Sequence, residues 1–215
     1  MPIRQFLNEL LQTMKSLLFT LSLFSTMVLA QTPEPPKIIT QQSGNITKHW
    51  AEGSLASTQA VGCIPLAEAK NTFTPPDLYK GVEACVSQDN YDFAVRLFIL
   101  AGMYSWFDAD RITDKTAAQA RTILITDTFA TMSQGKKSKF SKALERLTKN
   151  PDPALIEKLC NEVQKVGAPN YYPSYMILHG IKTFTGNPHE EALIKHFDAS
   201  GVWKNLQSEY LHCPD

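Results

Sequence analysis

The stretch that decides the fold is Asn90–Phe107, NYDFAVRLFILAGMYSWF. Between Ala94 and Phe107 only Arg96 and Ser105 carry a strongly polar group, so apolar side chains fall on nearly every face of a helix. A helix apolar all round is either a membrane span or one surrounded by other helices. Arg96 interrupts the run, which is also short of the roughly 20 apolar residues a bilayer requires. The stretch is therefore read as the central helix of a helical domain, from Tyr91 to about Phe107.

Working outward, cap signals predict further helices. Thr74-Pro75-Pro76-Asp77 places a threonine N-cap before prolines in the first turn, with a carboxylate three residues on. It opens a helix to about Gln88, with Leu78, Val82 and Cys85 on one face. A short helix is expected before it, over Ile64–Lys70. After the central helix, Thr113 or Asp114 starts one that Gly135 closes. Phe140, Ala143, Leu144 and Leu147 recur at i, i+3, i+4, i+7, an amphipathic stripe. Asp152-Pro153 starts a helix with Leu155, Ile156, Leu159, Cys160 and Val163 inward, stopped by Gly167. Pro173–Phe184 reads as helix, Asn187-Pro188 as the start of another through Phe197, and a last short helix precedes Cys213. No alternating strand pattern stands out. The expected fold is all-α: a compact bundle or short stack of about eight helices, filling residues 61–215 as one domain.

The N-terminal part differs in composition. Lys15 precedes Ser16–Ala30, SLLFTLSLFSTMVLA, an uncharged and mostly apolar run ending in VLA-Q. Its length and flanks fit a secretory signal peptide over residues 1–30, cleaved after Ala30, better than a retained anchor. Met14-Lys15 is a better-placed start than Met1. Residues 31–60 are rich in Pro, Gln, Ser and Thr and read as a flexible leader, with Trp50 docking on the domain.

Charge and cysteine use agree with export. The chain holds 21 basic and 21 acidic residues, which argues against nucleic acid or an acidic membrane surface as a partner. Without Arg4, Lys15 and Glu9 these counts of 21 fall to 19 basic and 20 acidic. Partners must then be recognised by shape rather than by field. Cys63, Cys85, Cys160 and Cys213 form no C-x-x-C, and an even number in an exported chain suggests two disulfides. A helical hairpin brings the start of Ile64–Lys70 beside the end of the Thr74-capped helix. That pairs Cys63 with Cys85 and leaves Cys160 with Cys213, pinning the tail onto the Pro153–Val166 helix. The expected compartment is the periplasm or the cell exterior.

Within residues 75–108 a pattern emerges: QDNYD joins two helices, and the second carries Tyr91, Ala94, Phe98 and Ala101. This resembles a tetratricopeptide (Sel1-like) helical hairpin, in which small residues let the helices approach and aromatic ones fill the seam. Leu78 falls where that family has its first large apolar residue. Val82, Cys85 and Trp106 depart from the pattern, and no second copy follows at the period of about 34 residues. The resemblance implies a stacked helical scaffold that offers a surface to another protein or peptide.

Catalytic signatures are weak. His189 and His196 share a face at i, i+7, but an H-E-x-x-H zinc pair is absent, and Glu190 reads as a capping carboxylate. Asp108, Asp110 and Asp114 read as solvated charges at a helix end, and Asp92 with Arg96 as an i, i+4 pair. Lys136, Lys137 and Lys139 read as a solvated turn. Nothing implies a metal or a cofactor. Asn170–Met176, NYYPSYM, gathers Tyr171, Tyr172 and Tyr175 one turn before His179, and tyrosine supplies rigid amphipathic area to binding surfaces. These four residues are the candidate partner surface; the alternative is a helix entry whose aromatic side chains pack on the core. The reading reached is an exported, non-enzymatic helical protein that binds another protein, with an immunity or inhibitor role as one form. The alternatives are an envelope-acting enzyme using His179, His189 or Asp108/Asp110 in a cleft, and a structural envelope component.

Overall fold

Two helices organise the chain, α1 (Pro75–Ser87) and α2 (Tyr91–Arg111). Thr74 and Asp77 form the expected capping box on α1, with prolines in its first turn. The Asn90 side chain accepts from Phe93 N and starts α2 only a short turn later. The two helices fold back on each other, and Val82, Cys85, Ala94, Leu97 and Ala101 have no exposed surface. The computed structural model describes residues 35–43, 46–149 and 151–214. These fall in one unit, Pro35–Asp215. The expected signal peptide over residues 1–30, and residues 31–34 of the leader, lie outside the described residues.

Around this pair stand α3 (Ala120–Ala130), α4 (Gln134–Thr148), α5 (Pro153–Val166), the short α6 (Ser174–Ile177) and α7 (Lys182–Thr185), and α8 (Ala199–Asn205). Among the described residues the fold is all-α apart from one two-stranded ribbon. No helix among the described residues is long and apolar enough to cross a membrane. Phe98 of α2 sets its ring edge-on to Tyr79 of α1, Phe129 of α3 and Phe140 of α4, with centroids 5.4–5.8 Å apart. Four helices thus meet at one aromatic cluster.

Two disulfides join the expected cysteines. Cys63–Cys85 ties the approach segment to the end of α1, and Cys160–Cys213 ties the C-terminal tail to α5.

Several expectations are corrected. The leader is not flexible throughout: β1 (Ile38–Ser43) and β2 (Ile46–Ala51) pair antiparallel, Ile38 opposite Ala51. The segment after β2 is held by hydrogen bonds. Leu55 N donates to Tyr175 O, while Ser57 Oγ, Thr58 N and Gln59 N all donate to Asp77. The Ile64–Lys70 helix is a single 3-10 turn, Leu66–Glu68. Gly135 closes nothing: α3 ends at Ala130, and Gly135 lies in the first turn of α4, capped by Ser133. Pro173–Phe184 breaks into α6 and α7, because Ile181 N and Lys182 N donate to Thr116 Oγ1 and Asp114 Oδ2 instead of continuing the helix. Gly180 between them approaches Asp114 and Ala117 so closely that a Cβ would collide. Asn187 caps only a turn. Glu191 adopts a left-handed backbone (φ 47°), and the chain then pairs Leu193 with Ile112 in an isolated bridge.

Candidate binding surfaces

The tyrosine-rich segment divides between inside and outside. Asp108, on the last turns of α2, is fully buried rather than solvated. Its Oδ2 accepts from the Tyr171 hydroxyl at 2.9 Å and the Tyr175 hydroxyl at 2.8 Å, and its Oδ1 accepts from Arg111 Nε at 2.9 Å. Burial pushes the Asp108 carboxyl up from its ordinary value, against the pull of Arg111 and the two hydroxyls. Burial, and then the Asp108 charge, push both tyrosines well above theirs. The proton therefore stays on the phenols, and the group works as a closed hydrogen-bonded knot. Arg111 closes it further by donating to Tyr171 O and lying over the Phe107 and Tyr171 rings. Tyr175 is 2% exposed. The Tyr171 and Tyr175 hydroxyls thus anchor the loop to Asp108, with Tyr175 buried and Tyr171 partly so.

His179 is half-buried, 3.3 Å from Ser54 Oγ through Nδ1, and burial lowers its pKa. Tyr172 alone of the four projects outward, 45% exposed, its hydroxyl 3.1 Å from His189 Nδ1. Further along the same segment Ile181 (57% exposed), Phe184 and Ile194 are also exposed, and the sequence reading missed them. Ile181 N donates to Thr116 Oγ1 in the segment that follows α2, and Ile194 N donates to Arg111 O at the end of α2. Among the described residues, half of the large apolar side chains left exposed come from this stretch.

The side chains that chemistry would need are dispersed. Asp108 faces the core, Asp110 faces solvent, His179 meets Ser54, and His189 meets Tyr172. No group of three or more metal-ligating side chains gathers among the described residues. Asp114 caps the 3-10 turn Lys115–Gln119. Arg96 is buried, and its close partner is Glu162 of α5 at 2.8 Å, with Asp92 at 4.0 Å. Lys136 donates to the Val86 and Ser87 carbonyls at the end of α1, so it caps a helix rather than standing in a solvated turn.

A cleft of about 660 Å³ opens between α2, α4, α5 and the tail. Ile99, Leu144, Leu147, Ile156, Leu159 and Leu211 supply its apolar wall, and among the described residues no Asp, Glu, Lys or Arg lines it. Leu144 and Leu147 belong to the stripe legible on α4, but which wall they face depends on α5 and the tail, which no local pattern reveals.

No family model, curated protein or solved structure matches the chain.

Proposed function

We propose that this chain is an exported, disulfide-stapled helical protein that acts by holding another protein rather than by catalysing a reaction. The observation that carries the reading is the apolar set Tyr172, Ile181, Phe184 and Ile194, exposed on a segment fixed by the Asp108 knot and by bonds to residues 111–116. Exposed apolar side chains on a rigid frame favour association, because little side-chain and loop entropy remains to be lost on binding. Export is supported by the Ser16–Ala30 apolar run and by two disulfides, which persist in oxidising compartments. The tetratricopeptide-like reading of residues 75–108 is kept on the same footing. It is supported by the full burial of Ala94 and Ala101 on α2, the helix that folds back on α1. Within this class an immunity or inhibitor role suits a rigid, neutral surface. The test is affinity capture from an envelope extract with the wild type and with Ile181→Lys/Phe184→Lys. A reproducible partner recovered by the wild type and lost with the folded variant is expected. Equal recovery by both would remove the surface from the reading.

A further inference from the structure

We infer that the cleft between α2, α4, α5 and the tail is a binding site for a single unbranched hydrocarbon chain, an acyl or alkyl group whose head stays in solvent. The site is separate from the protein-binding face and does not depend on it.

Three observations select that occupant. The volume, about 660 Å³, lies within the range of small-ligand sites, roughly 300–1,000 Å³. Among the described residues no formally charged Asp, Glu, Lys or Arg side chain lines it. A partner helix would find nothing there to fix its register, and a phosphate or other anionic group would find no countercharge inside. Finally, Pro151, Pro153 and Pro214 form part of the wall. Proline carries no N–H donor, so an extended peptide would leave its own carbonyls unpaired against them, a loss a hydrocarbon chain does not incur. Thr148, Tyr210 and His212 are the polar side chains of the lining and are exposed, which suits a head group lying outside. The tail wall is held in place: His212 turns it with a left-handed backbone (φ 58°), Cys213 N donates to Gln207 O, and Cys213 is bonded to Cys160.

The test is a binding titration of the purified full chain, expressed in an exporting host, with unbranched fatty acids and fatty alcohols of increasing length. Affinity should rise about fourfold per added methylene until the cleft is filled and then level off. Alcohol and acid of equal length should bind comparably. Ile156→Lys and Leu144→Lys, at half-buried wall positions, should abolish binding while circular dichroism reports an unchanged helical fold. Ile181→Lys should leave binding intact, which separates this site from the protein-binding face. Affinity independent of chain length, absence of binding, or binding retained in the folded wall variants would each overturn the proposal. So would tighter binding of an amphipathic helical peptide at the same site.

Discussion

Asp77 carries two duties on one carboxylate. Oδ2 accepts from Thr74 N and Oγ1 to cap α1, while Oδ1 takes Ser57 Oγ, Thr58 N and Gln59 N from the segment after β2. Burial by itself would raise its pKa. The hydrogen bonds from Gln59, Thr74 and Ser57 outweigh it and hold the carboxyl below its ordinary value of 3.8. A carboxyl depressed by folding adds stability that is fully present above its unfolded pKa and lost as pH falls through the folded one. The contribution of Asp77 to the urea midpoint should therefore hold steady down to about pH 4 and then fall. Asp77→Asn should lower the neutral-pH midpoint and flatten that acid slope. A slope unchanged in Asp77→Asn would assign the acid sensitivity to another group. Asp108 has the opposite sign, because burial raises it. It favours folding less as pH rises, and its value to the molecule is the geometry it imposes on Tyr171 and Tyr175.

Among elements, α2 is where the others converge, and Phe98 is its point of contact with α1, α3 and α4. Phe98 is half-buried and borders the cleft, so Phe98→Ala should destabilise the fold by about 3 kcal/mol, the low end for aromatic truncations. Phe98→Leu should cost visibly less in the same urea titration. Helices with local instructions were legible: Thr74/Asp77, Asn90 and Asp152 each cap the helix that their neighbours predict. The cysteine pairing followed from the even count, the expected nearness of Cys63 to Cys85, and elimination for the other two. What escaped was set by distant chain. β1 and β2 are largely solvent-exposed and polar on both sides, so they carry no period-two signal. The charges of Phe107–Arg111 look solvated until Tyr171 and Tyr175 arrive from some sixty positions away. Asn187-Pro188 carries a sound helix start, yet the Ile112–Leu193 bridge takes the backbone elsewhere. The candidate surface was half legible for the same reason. Four aromatic or imidazole side chains in sequence do not reveal which of them turn inward.

At the scale of the molecule, the bridges close loops of 22 and 53 residues. On a chain-entropy account they contribute about 3 and about 4 kcal/mol. Replacing Cys160 and Cys213 by serine should thus cost slightly more stability than replacing Cys63 and Cys85. Guanidinium titrations of the two double variants check the order. The reverse order would mean that native-state contacts of the first bridge outweigh loop length. The pairing also has a consequence in time. First joins second and third joins fourth along the chain. A polypeptide delivered N-terminus first can lock Cys63 to Cys85 before Cys160 emerges, and the remaining pair then has no rival. A chain so paired needs an oxidant during its assembly but little proofreading of its cross-links.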